Sequence, residues 1–416
     1  MNGKKIGLWT CALVMALSLT GWPAGRSYAK PATGLEAAFV RDGDLWAKKA
    51  DGKERRLTQG DKVQRPLWSN DGEWIAYQVA SDARQTLKLL HVPTGAVREI
   101  ASGGWITAQW ASEKNDLAYA VEGKLSWLRA DKPKEAPSEI ARDISGFSWL
   151  PDGRGWIAST QSKLLKENDW TPVRIVRYSK AGTAPKTLRE LPKPSDAFFV
   201  VGTSAFKFSP TGKWVAFLAT PTASLSADGN ALCLMSADGG AFSKIADMLN
   251  DEEWFQWADR GERLAYIEGV GREATSNKRL MLLNAPDGKP IRLTPEGYVD
   301  QSFTWQGGDR VIVARAEERK DGVNSASYPP SSLVEIKLQG NRPHRLPAPP
   351  AGYSDTGPQY FPRANRLTWV RTNRSQADVF VSGKSGNGSA NWIPNLDPVA
   401  DYYGRWNWET VLAIRS

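Results

Sequence analysis

The sequence is poor in the residues that most often carry chemistry, with two cysteines and two histidines in 416 residues. Cys11 lies in an N-terminal apolar run, so Cys233 stands alone in the rest of the chain and no intrachain disulfide can form there. An exported domain without disulfides must be held by its core. Cys233 lies in the apolar run 231–235 and reads as a small buried hydrophobe rather than a nucleophile. His91 and His344 are far apart, each beside a strand-like run. That excludes zinc spacings and leaves a Ser-His-Asp triad without a base. The G-x-S-x-G elbow, the P-loop and the dinucleotide fingerprint are all absent. Asp42-Gly43-Asp44 and Ser69-Asn70-Asp71-Gly72 lack the EF-hand spacing and its distal Glu, so turn capping accounts for their acids. No catalytic set, metal or cofactor is therefore expected. Helical periodicity is essentially absent, and beyond residue 29 no run is apolar enough to span a membrane.

What is present begins with a leader. Lys4 and Lys5 precede an apolar stretch over 6–19, and Ser27-Tyr28-Ala29 places small residues where a signal peptidase reads. The pattern predicts a cleaved signal peptide over 1–29, ending near Ala29, and a mature domain over 30–416. Secretion or residence in the cell envelope follows, with no transmembrane segment after cleavage; an uncleaved N-terminal anchor is the alternative. Without Lys4, Lys5 and Arg26 the formal charge of +9 falls to about +6. Such an excess suits an anionic wall polymer or membrane surface. The charges are interspersed rather than blocked, so nucleic-acid binding gains no support.

The stretch LWSNDGEWIAY, from Leu67, is one of a series. WASEKNDLAY, WLPDGRGWIA, FSPTGKWVAF, WADRGERLAY, WQGGDRVIVA, FPRANRLTWV and WNWETVLAI start at Trp110, Trp149, Phe208, Trp257, Trp305, Phe361 and Trp406. From Trp68 the steps are 42, 39, 59, 49, 48, 56 and 45 residues, the period of a repeat array. In each copy an aromatic ends one strand, an Asp-Gly-type tetrad turns the chain, and an apolar strand follows. Two more strand-like runs complete each copy. Ala76, Ala118, Ala216 and Ala265 point to close packing between neighbouring sheets. Four short antiparallel strands per copy describe a propeller blade. The N-terminal part supplies late strands without an opening one, and the C-terminal part the reverse, so pairing the two closes the ring. The expectation is an all-β fold, a single β-propeller of eight four-stranded blades, with seven as the alternative.

AAFVRDGDLWAKKADGKERRLT followed by VQRPLWSNDGEWIAY resembles the TolB-type β-propeller repeat, which also occurs in the propeller domains of dipeptidyl-peptidase-like enzymes. The resemblance covers most of residues 35–416. It implies a secreted or periplasmic interaction platform, and no hydrolase-sized segment follows the repeats.

Two surfaces stand out. The second turns of four consecutive blades are long and should share one side of one face. They carry Lys163, Lys166, Trp170, Arg272, Arg319, Lys320 and Tyr328, a candidate binding half-rim, with neutral loop drift as the plain alternative. The channel is lined by opening strands, whose polar residues include Gln64, Arg65, Gln109, Lys207, Gln256 and Gln359. They offer a second binding site, or simply a water-filled funnel. Most of the nineteen tryptophans sit at repeat positions and read as core. The functional expectation is a secreted, non-enzymatic, monomeric platform for a protein or an anionic cell-wall component. The alternative is a channel-mouth enzyme, such as a glycan hydrolase or lyase, which would need several titratable groups converging in the mouth.

Overall fold

The computed structural model describes residues 34–167, 169–319, 328–340, 342–399 and 403–416. The leader over 1–29 and Lys320 lie outside the described residues.

Eight antiparallel sheets follow one another along the chain, each four strands deep from the channel outward. The opening strands of blades 2 to 4 are Val63–Trp68, Ile106–Trp110 and Ile144–Trp149. Blade 5 opens on two short pieces, Gly202–Thr203 and Lys207–Phe208. Blades 6 to 8 open on Phe255–Trp257, Tyr298–Trp305 and Ser354–Phe361. Blade 1 is shared between the two ends of the chain. Glu36–Arg41, Asp44–Lys48 and Glu54–Arg56 are its outer strands, and Leu412–Arg415 is its innermost. Phe39 pairs with Leu412 and Ala37 with Ile414, so the ring closes with no open edge at the seam. Eight blades, not seven, is the observed count.

The turn chemistry is that read from the repeats. Ser69 Oγ donates to Asp71 Oδ1 at 2.6 Å, and the same carboxylate oxygen accepts from Glu73 N–H at 2.9 Å. Gly72 takes φ of 73°, which an L side chain would resist. The repeat alanines 76, 118, 216 and 265 are completely buried. The repeat tryptophans have a second role beyond packing. Each indole N–H of Trp110, Trp149, Trp257 and Trp305 donates to a backbone carbonyl of the preceding blade's opening strand. The acceptors are Leu67, Gln109, Lys207 and Gln256, at 3.1, 3.0, 2.8 and 3.0 Å. A buried indole needs such a partner, and here the partner fixes one blade against the next. Trp305→Phe should therefore cost about 1–3 kcal/mol, because it leaves the Gln256 carbonyl without its donor. Equilibrium denaturation would show this as a lower midpoint at unchanged slope, and an unchanged midpoint would deny the clasp any weight.

One repeat unit does not follow its expected form. Trp406 opens no strand. It lies in an irregular lead-in that makes one 3-10 turn, Trp408–Thr410, before the closing strand.

Candidate active site

Opening strands line the channel, and strands alternate in direction. The second turns and the blade-to-blade links therefore share one face, where the long loops of blades 4 to 7 lie. The lead-in to the closing strand crosses this mouth. At Asp397 the chain is still on blade 1, accepting from Asp42 N–H and Gly43 N–H at 2.8 and 2.9 Å. By Tyr403 it has reached blade 6, where its carbonyl accepts from Ala274 N–H at 3.1 Å. Arg405 Nη1 donates to Asn250 O, in the link between blades 5 and 6, at 3.1 Å. Trp408 then seats against blade 8, where a Cβ on Gly357 would lie 2.7 Å from its ring. At Val411 the chain is back on blade 1, bonded to Val40 N–H at 2.8 Å.

This crossing brings carboxylates from two distant parts of the sequence together. Asp251 and Glu253 start the lead-in to blade 6, where Asp251 Oδ1 caps a short 3-10 turn by accepting from Glu253 N–H at 2.9 Å. Glu409 comes from the crossing segment. Asp251 is half-buried and Glu409 is exposed. Desolvation pushes Asp251 up to about 7, and the negative charges of Glu409 and Glu253 add to that while Arg405 opposes it. Desolvation also raises Glu409, with Glu253 adding and Arg65 and Arg405 opposing. Burial raises both carboxyls, and the charge of Glu409 adds to the rise at Asp251. A carboxyl held protonated toward neutrality can act as acid while an ionised neighbour acts as base. Among the described residues no group of His, Cys, Asp or Glu is arranged to hold a metal ion.

The expected channel residues divide into two kinds. Gln109 Oε1 accepts from Trp149 N–H at 2.9 Å, and Gln256 Nε2 donates to Glu253 O and Phe303 O at 3.0 and 3.1 Å. Lys207 Nζ bonds the carbonyls of Glu252 and Phe255. These three knit the lining together. Gln64, Arg65 and Gln359 are exposed to channel water.

The half-rim residues also fall into two groups. Arg272 pairs with Asp228, holding that carboxyl below its usual range, and reaches Tyr403 Oη at 3.2 Å. Tyr328 lies within 3.5 Å of Glu273, with the guanidinium carbons of Arg319 and Arg374 at 5.7 and 4.5 Å from its ring centre. Arg374 also sits 5.0 Å from the Trp406 ring, so this group frames the mouth. Lys163, Lys166 and Trp170 belong to a separate hairpin on blade 4. Its strands are Leu164–Lys166 and Asp169–Trp170, Lys163 is paired with Asp143, and Trp170 stands edge-on to Phe199.

The sequence matches no family model and no curated protein. Solved structures do match in fold. The dihydro-heme d1 dehydrogenase NirN is similar with a TM-score of 0.59 and 14% identity, over 90% of this chain and 75% of that one. A puromycin hydrolase S511A mutant is similar with a TM-score of 0.50 and 14% identity, over 83% and 56% of the two chains. The resemblance read from the repeats holds at the level of fold. TolB from Acinetobacter baumannii is a more remote likeness, with a TM-score of 0.36 and 15% identity over 76% and 64%. The chain spans just over half the length of the puromycin-hydrolysing proteins it matches.

These comparisons overturn the expectation of a non-enzymatic platform. The two propellers with the higher scores carry enzyme names, a dehydrogenase and a hydrolase. The physical reason for the error is visible in the mouth. The opening strands do present amides and cations, as read, but the acids arrive from a link and from the crossing segment. Asp251-Glu252-Glu253 ahead of Trp254, an acidic run where the repeat requires none, was the one signal in the sequence. Nothing in the repeat pattern flagged Arg405 or Glu409.

Proposed function

We propose that the chain is an acid–base enzyme working at the channel mouth, cleaving glycans as a hydrolase or lyase. The observation that carries this reading is the crossing segment, held to blade 6 through Tyr403 and to the blade 5–6 link through Arg405. It sets the charge of Glu409 against Asp251, with Arg405 acting on both carboxyls and Arg65 on Glu409. In hydrolysis the protonated partner gives its proton to the glycosidic oxygen as the C–O bond breaks. The ionised partner takes a proton from the attacking water. In elimination the same base takes a carbon-bound proton instead. Tyr328, Tyr403 and Trp406 at the rim supply aromatic surface of the kind that stacks on sugar rings. Among the described residues no helix is long and apolar enough to cross a membrane. An extracytoplasmic location belongs to the reading, supported by the leader pattern over 1–29.

The test is a panel of neutral, carboxylated and sulfated oligosaccharides, with release of reducing ends or unsaturated products as the readout. Wild type should cleave at least one of them, and Glu409→Gln should lose about 100-fold or more while melting within a few degrees of wild type. Activity that survives in both Asp251→Asn and Glu409→Gln would overturn the assignment.

A further inference from the structure

Arg65 stands apart from the other cations of the mouth. Lys207 and Arg405 bond carbonyl oxygens, Arg272 pairs with Asp228, and Arg319 and Arg374 lie over aromatic rings. Among the described residues Arg65 makes no hydrogen bond, ion pair or ring contact. It lies within the innermost strand of blade 2 and is exposed, so the water it meets is that of the channel and its mouth.

Its backbone is also unusual. Arg65 takes φ of 50° inside a strand, at a bulge where the pairing slips between Gln64 and Leu67. A side chain in this region strains the backbone, and glycine would remove the strain. The positive charge of Arg65 is felt at Glu409, whose carboxyl it holds down against the rise from burial, without an ion pair between them. An arginine fork held open and strained beside an acid–base pair is suited to a planar or tetrahedral oxyanion. Gln64, next to it, is likewise exposed and without a side-chain partner among the described residues, which suits a hydroxyl.

We propose that Arg65 is the anion anchor of the substrate, so that the glycan taken at this mouth carries a carboxylate or sulfate on the ring bound there. The inference rests on the acid–base reading of the same mouth, but its test needs no turnover. Isothermal titration of the full chain would compare a glucuronate-containing oligosaccharide, a sulfated one, a neutral one of equal length, and inorganic sulfate. The Asp251→Asn variant would be titrated beside wild type, so that cleavage cannot distort the result.

At least one charged oligosaccharide should bind about tenfold or more tightly than the neutral one. Arg65→Gln should abolish that preference, and Arg65→Lys should restore part of it, because charge returns without the fork. Arg65→Gly should lose the preference while melting at or above the wild-type temperature, which separates recognition from folding. The carboxylated and sulfated arms decide which oxyanion is read. Equal binding of neutral and charged oligosaccharides would overturn the proposal, as would an unaltered preference in Arg65→Gln. Binding of inorganic sulfate alone, or of no probe at all, would also overturn it. None of these results would touch the catalytic assignment, which stands or falls on Asp251 and Glu409.

Discussion

Arg315→Met is expected to lower the unfolding free energy by about 3–5 kcal/mol. Asp300 is fully buried on the opening strand of blade 7, and Arg315 faces it across the next strand. The guanidinium donates from Nε and Nη2 to the two carboxylate oxygens at 2.7 and 2.8 Å, and Nη2 also reaches Leu293 O at 3.2 Å. Removing the arginine leaves a carboxylate in a dry site with only Thr294 to satisfy it. The cost is therefore that of an unpaired buried charge rather than the worth of the pair. The double variant Asp300→Leu with Arg315→Met should recover most of the loss, and a denaturation cycle measures both. A single variant as stable as wild type would show that water reaches Asp300 after all. Blade 8 repeats the device at Asp355 and Arg371, bonded at 2.7 and 2.8 Å, where burial raises the Asp355 carboxyl and Arg371 opposes the rise.

Asp251→Asn is expected to reduce turnover by about 10²–10⁴-fold, the usual range for losing a general acid or base. The wild-type rate should fall as pH rises through about 7, where Asp251 gives up its proton. The variant's residual rate should lack that limb. Stability offers a second, independent readout. Asp251 titrates near 3.8 when unfolded and about 7 when folded, so the folded chain binds the extra proton between those values. Stability from this group is thus full below about pH 4 and declines as pH rises to about 7. Partial solvent access and Arg405 reduce the size of the effect, so a loss of about 1–2 kcal/mol is expected across the window. Asp251→Asn should flatten that slope. Glu409→Gln should move the midpoint down by removing a like charge, and Arg405→Gln should move it up by removing the opposing one. A midpoint near pH 4 in wild type would mean that the mouth is fully wet and that Asp251 is no acid.

The repeats were legible because each copy encodes the same local physics. Asp71 and Gly72 make a turn with no help from other blades, and Ile75-Ala76-Tyr77 is apolar wherever it is placed. Eight such units, with late strands first and an opening strand last, leave ring closure as the way to satisfy every edge. Arg65 could also be found, as a polar residue on an innermost strand. What could not be read was where irregular chain goes. Trp406 looked like another anchor, since its neighbours are aromatic, but in the fold it lies under Arg374 at the rim. The blades and the pairing of the two chain ends were legible in the residues, because those depend on local turn chemistry and alternating burial, whereas the choice of eight blades over seven came with the fold. The site came from the fold. Asp251 and Glu409 are 158 residues apart in sequence. The charge of Glu409 reaches Asp251 because the lead-in to the closing strand, whose described residues pair with no sheet, passes blade 6 before it reaches blade 1.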